Sequence, residues 1–126
     1  MLSFSQTTKV YLATGATDMR KAFDTLAALV SEKLGRDPYA GDVFVFCNRP
    51  RNRLKLLVWE PSGFWLCAKR LEKGTFAWPN SSDVSVTLTP QELSLLLGGI
   101  DLSRVERRQW YEGPLTKEKK EAMASV

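Results

Sequence analysis

Seven cations fall between positions 49 and 73 of this chain: Arg49, Arg51, Arg53, Lys55, Lys69, Arg70 and Lys73. Only Glu60 and Glu72 oppose them, a local excess of +5 that is larger than the net charge of +4 on all 126 residues. Clustered Arg and Lys neutralise phosphates, and aromatic faces stack on exposed bases. The same stretch supplies both, because Trp59, Phe64, Trp65, Phe76 and Trp78 are interleaved with the cations. The rings have a simpler use as hydrophobic core, and that is the reading adopted for them. The cations are read as a surface for phosphate or another acidic partner. Arg20 and Lys21 join the candidates, because they fall in the expected first turn of a helix, where the dipole favours acids.

Catalysis finds no comparable support. The chain has no histidine, which removes the commonest general base and metal ligand. With two cysteines, Cys47 and Cys67, a Cys/His zinc site is excluded. Both cysteines are read as small buried hydrophobes rather than a disulfide, since no secretory signal precedes them. Asp18, Asp24, Asp42, Glu60, Glu72 and Asp83 show no spacing that selects a metal cluster. The turn at Thr14-Gly15 lacks the second glycine and the Lys-Ser/Thr pair of a phosphate loop. No catalytic residue, metal or cofactor is therefore expected.

The elements that hold the cations can be read from pattern. Val43–Cys47, VFVFC, favours a buried strand. The polar connection NRPRNR leads to a second strand, Leu54–Trp59. Glu60-Pro61-Ser62-Gly63 fits a type I turn, with Pro second and Gly fourth. A third strand returns over Phe64–Leu71. The turn predicts a register in which Trp59 faces Phe64, Val58 faces Trp65, Leu56 faces Cys67 and Arg53 faces Arg70. Aromatic and apolar side chains then gather near Pro61, and the cations gather at the opposite end. A one-residue slip flips faces but leaves the cations at that end.

Composition suits one domain: 44% apolar and 25% charged residues are near the globular average. Met1–Thr7 reads as a frayed start, and Lys9–Ala13 as a strand. A helix is expected over Asp18–Leu34, capped by Thr17 or Asp18 and stopped by Gly35. Val84–Leu88 alternates as a half-buried strand. Thr89-Pro90-Gln91-Glu92 is a capping box opening a second helix, which ends at Gly98-Gly99. The expected fold is α+β, a mainly antiparallel sheet of about five strands with two packed helices over residues 1–102. Residues 103–126 read as a charged tail, helical or mobile. No apolar run approaches the length of a membrane span, so a cytoplasmic protein is expected. Lys9–Ala13, taken as an exposed edge, offers a route to a homodimer.

The strings YLATGATDMRKAFDTLAALV, GDVFVFCNRPRNRLKLLVWE, GFWLCAKRLEKGTFAWP and LTPQELSLLLGGID closely resemble the small accessory protein of insertion sequence 66 family transposons. This is the product of the second open reading frame, often called TnpB. The resemblance runs from Val10 to Leu102, with Glu60 standing where the family usually has Asp. It implies a role in transposition beside a separate, larger transposase, and it brings no assigned active site. The chain is far too short for the RNA-guided nucleases that share the TnpB name. The resemblance supplies the context and the cations supply the mechanism: a non-catalytic accessory that binds DNA, transposon ends included, through phosphate contacts. The alternative is a module that docks on the transposase without touching DNA.

Overall fold

The computed structural model describes residues 4–98. Their elements in chain order are β1 (Val10–Ala16), α1 (Phe23–Glu32), β2 (Val43–Cys47), β3 (Arg53–Glu60), β4 (Gly63–Arg70), β5 (Ser85–Leu88) and α2 (Pro90–Leu97). All five residues of β2 are buried. Such a strand must be covered on both faces and flanked on both sides. It sits in the middle of one sheet, in the order β4-β3-β2-β1-β5. β1 and β2 run parallel, joined by the α1 crossover, and the remaining pairs are antiparallel. The architecture is the expected α+β fold with a mostly antiparallel five-stranded sheet.

Alternation along the strands divides the interior into two layers. Val10, Leu12, Val43, Val45, Cys47, Leu54, Leu56 and Val58 face one way and pack with Leu93 and Leu96 of α2 and with Phe76. Tyr11, Ala13, Phe44, Phe46 and Leu57 face the other way and pack with Leu26, Ala27 and Val30 of α1. The two helices thus cover opposite faces of the sheet. After β4 the chain crosses the α2 face towards β1. Phe76 N–H donates to the Arg51 carbonyl (2.7 Å), and Trp78 Nε1 donates to the Ala13 carbonyl (2.9 Å).

The hairpin register is the one the turn predicts: Trp59 opposite Phe64, Val58 opposite Trp65, Leu56 opposite Cys67, Arg53 opposite Arg70. Neither Pro61 nor Ser62 takes a positive φ, in keeping with a type I turn. The second helix also opens as expected. Thr89 Oγ1 accepts from Glu92 N–H (3.1 Å), Glu92 Oε1 accepts from Thr89 N–H (3.0 Å), and Pro90 is the first helical residue. Gly98 caps its end.

Several expectations need correction. β1 does not stop at Ala13. A register irregularity after Leu12 lets the strand continue to Ala16, with Thr17 N–H on the Cys47 carbonyl. Nor is β1 an edge. It lies between β2 and β5, which closes the dimer route proposed through Lys9–Ala13. α1 begins at Phe23 with Ala22 as N-cap, because Asp18 is engaged in a turn of its own, accepting from Arg20 N–H (2.9 Å). Arg20 and Lys21 therefore precede the helix and do not oppose its dipole from within the first turn. Gly35 does turn the chain after the helix, at φ +64°. Phe4 packs against the core rather than fraying. Cys67 is exposed and only Cys47 is buried, because β4 is an edge strand with less cover. Trp65, expected in the core, is 51% exposed for the same reason. Gly99, the last residues of the expected domain, 100–102, and the tail 103–126 lie outside the described residues.

Candidate nucleic-acid interface

The candidate cations sit where β3 begins and β4 ends, together with the loop that precedes β3. That loop is organised by asparagine. Asn48 Oδ1 accepts from Asn52 N–H (3.0 Å) and Arg53 N–H (3.2 Å), and Asn48 Nδ2 donates to Asn52 Oδ1 (2.8 Å). Arg51 N–H closes a turn onto the Asn48 carbonyl (3.2 Å). These contacts project Arg49 into solvent and turn Arg51 back into the fold. The two asparagines were the missed residues of this site. Their signal was present in NRPRNR, an Asn pair spaced to bridge a short turn.

The nine candidates take different positions. Arg53 and Arg70 are exposed and lie directly opposite each other across the β3–β4 ladder. Like charges so placed repel, and an anion between them relieves the repulsion. Arg49, Arg53 and Lys73 are exposed and make no ion pair or hydrogen bond through their side chains among the described residues. Arg70 holds Glu72 (2.8 Å), a pair open to water on both sides. Lys55 Nζ donates to the Lys21 carbonyl (2.8 Å), which brings the segment carrying Arg20 and Lys21 beside the strand cations. Lys69 Nζ donates to the Leu97 carbonyl (2.7 Å) on the opposite face, completing the C-terminus of α2.

Arg51 stands apart. Its guanidinium donates to the Thr14 carbonyl (3.1 Å) and the Asn48 carbonyl (3.4 Å), and its Cζ lies 5.6 Å from the Trp78 ring centre. It ties the loop to β1 and to the crossing segment, so its charge serves the fold. Arg20 is paired with Asp18 (2.7 Å), and its side chain is 92% exposed. Hydrogen bonds from the Arg20 side chain, and then from its backbone N–H, pull the Asp18 carboxyl down to about 2.

The aromatics mark the other end of the hairpin. Tyr39, Trp59 and Phe64 contact one another with ring centres 4.9–5.3 Å apart, and Tyr39 is 57% exposed. An open cleft of about 270 Å³ lies beside the last residues of β1, lined by Thr14, Gly15, Thr17, Lys33, Ser81 and Asp83 among others. No sequence pattern marked it. Among the described residues, no three of His, Cys, Asp or Glu come together where a metal ion could be held. No helix among them is long and apolar enough to cross a membrane.

The model of the family described as IS66 Orf2 like protein matches residues 8–107. The match spans every strand and helix described above. The chain belongs to the IS66 Orf2-like family. Two relatives in Sinorhizobium fredii (strain NBRC 101917 / NGR234) are similar over most of their length. The uncharacterized protein y4jC is 39% identical over 108 residues, covering 86% of this chain and 92% of the relative. The uncharacterized protein y4hO is 42% identical over 101 residues, covering 80% and 88%. No solved structure matches. Membership makes this IS66 Orf2-like chain an accessory protein of IS66-type transposition. The family match includes the whole basic segment Arg49–Lys73 and the capping box of α2.

Proposed function

We propose that this accessory protein acts without catalysis by binding DNA phosphates at the basic end of the β3–β4 hairpin, with transposon ends as the physiological target. The observation that carries the reading is the facing pair Arg53 and Arg70, both exposed, with Arg49 and Lys73 alongside. Lys21, Lys55 and Lys69 add charge at their margins. Arg20 and Arg70 hold carboxylates only through solvent-exposed pairs, which are weak enough for a phosphate to displace.

The test is binding to transposon-end DNA and to unrelated DNA across a salt series. Four phosphate contacts give a log–log salt slope of about −3.6, and Arg53→Ala with Arg70→Ala reduces it by about 1.8. Preference for the ends adds recognition to a largely sequence-independent affinity. Unchanged affinity in the double variant overturns the assignment.

A second reading has an observation of its own. The partly exposed Tyr39–Trp59–Phe64 cluster at the turn end is suited to protein contact, with the transposase as partner. Co-purification with the transposase that survives nuclease digestion and is lost in Tyr39→Ala favours that reading.

A further inference from the structure

The two edges of the sheet are unlike. β5 is four residues long, and short edges resist pairing. β4 runs for eight residues in unbroken register with β3 and contains no proline and no bulge. No described strand pairs with its outer side. The segment that follows leaves across the α2 face towards Arg51 and Ala13, away from that side.

The orientation of the β4 backbone follows from the hairpin. Leu71 N–H donates to the Asn52 carbonyl (2.8 Å), which sets the phase of the ladder. Counting back in twos, Gly63, Trp65, Cys67 and Lys69 direct their main-chain groups to β3. Phe64, Leu66, Ala68 and Arg70 therefore direct theirs outward. A β-strand partner finds four consecutive outward positions available.

The side chains say which partner. β4 reads GFWLCAKR, with aromatic residues at its first half and cations at its end. A two-fold axis perpendicular to the sheet preserves faces, so it must pass through a residue paired with its own copy. An axis at Lys69 or Arg70 sets like charges against each other. An axis at Leu66 brings Lys69 to the second copy's Gly63 and carries Arg70 past the strand end. An axis at Cys67 sets Lys69 opposite the second copy's Trp65 and Arg70 opposite its Phe64. Each cation then stands opposite an aromatic residue rather than a like charge, with the Lys69 stem beside Trp65 while its ammonium stays on the Leu97 carbonyl. Leu66 meets Ala68, and about eight main-chain hydrogen bonds form between the two strands.

We propose that the protein forms a two-fold dimer in which β4 pairs antiparallel with β4 of a second copy, centred on Cys67. The two sheets become one of ten strands. The basic ends lie on opposite sides of the axis, with the two Arg70 positions about 20 Å apart along the strand direction. Lys69 and Arg70 are shared with the function proposed above, but the dimer is read on the protein without DNA, so its failure and the failure of DNA binding are distinguishable.

In this arrangement the two Cys67 residues form a non-hydrogen-bonded pair with Cα atoms about 4.5 Å apart, within disulfide reach. Diamide, which takes up the two electrons and two protons released by two thiols, is therefore the probe. The full-length protein gives a disulfide-linked dimer on a non-reducing gel, lost in Cys67→Ser and kept in Cys47→Ser, whose thiol is buried. Light scattering on the untreated protein gives twice the mass of one chain. Ala68→Pro removes an outward N–H while sparing the β3 ladder, and it returns the mass to one chain and slows cross-linking at least tenfold. Trp65→Lys, which sets two lysines opposite each other, does the same if the proline variant does not fold. Thermal melts confirm that the variants compared are folded. A single-chain mass in concentrated solution, without Cys67 cross-linking, overturns the proposal. A dimer that persists in a folded variant overturns it as well.

Discussion

Arg51 holds a left-handed backbone conformation, φ 62°, that disfavours any side chain with a Cβ. Its guanidinium compensates by donating to two carbonyls in separate parts of the fold. Replacing it by Ala loses those bonds and keeps the strained φ, at a cost of about 1–3 kcal/mol. Replacing it by Gly loses the same bonds but relieves the backbone. Urea denaturation should therefore rank Arg51→Gly above Arg51→Ala by roughly 1 kcal/mol. Asp18 supplies a second test at this scale. Its folded carboxyl titrates near 2, below the ordinary 3.8, so the stabilisation from its Arg20 contacts is present above 3.8 and fades as pH falls towards 2. An NMR titration should show the low midpoint, and Arg20→Ala should raise it part of the way, because the backbone N–H at position 20 still donates to the carboxylate. Residue roles were the part least legible in the sequence. Arg49, Arg51 and Arg53 look alike as letters. A left-handed φ and an inward guanidinium separate the middle one from its neighbours, and the guanidinium reaches Thr14, thirty-seven positions away.

Elements were legible where local chemistry decides them. Pro61 and Gly63 specify a two-residue turn, and a tight turn leaves one register for the strands it joins. Thr89, Pro90 and Glu92 satisfy the open N–H groups of α2 from within four residues. Thr89→Ala should cost about 1 kcal/mol, read as a lowered denaturation midpoint, and Thr89→Ser should retain most of the stability. The start of α1 is not legible locally, because its cap signal, Asp18, serves a turn ahead of the helix. Ala22 offers no side chain to cap with, and the Thr25 hydroxyl accepts from Ala22 N–H instead (3.0 Å). The extension of β1 past Ala13 is hidden for a related reason. Thr14-Gly15 looks like a turn, yet Thr14 N–H finds the Val84 carbonyl (3.1 Å), a partner remote in sequence.

For the molecule as a whole, the class of fold was legible and the layering was not. The continuous apolar run of β2 announced burial on both faces. Nothing local said that α1 and α2 take opposite sides, since each helix carries one apolar stripe that fits either face. The position of β1 was hidden in the same way, because its alternation is compatible with an edge or an interior strand. The cation cluster is likewise a property of the whole, assembled from a loop, two strand ends and the segment before α1. The salt dependence of the proposed DNA binding would measure that assembly rather than any one arginine.

The interior place of β1 bears on how the chain is made. β1 is among the first segments to leave the ribosome, and one of its two neighbours, β5, is among the last of the strands to emerge. Until Ser85–Leu88 arrives, the nascent sheet ends at β1, and a Val-Tyr-Leu edge stands open to any other extended chain nearby. Synthesis speed through the intervening residues thus sets how long the newborn protein is prone to clump, and a pause before codon 85 should lower its soluble yield.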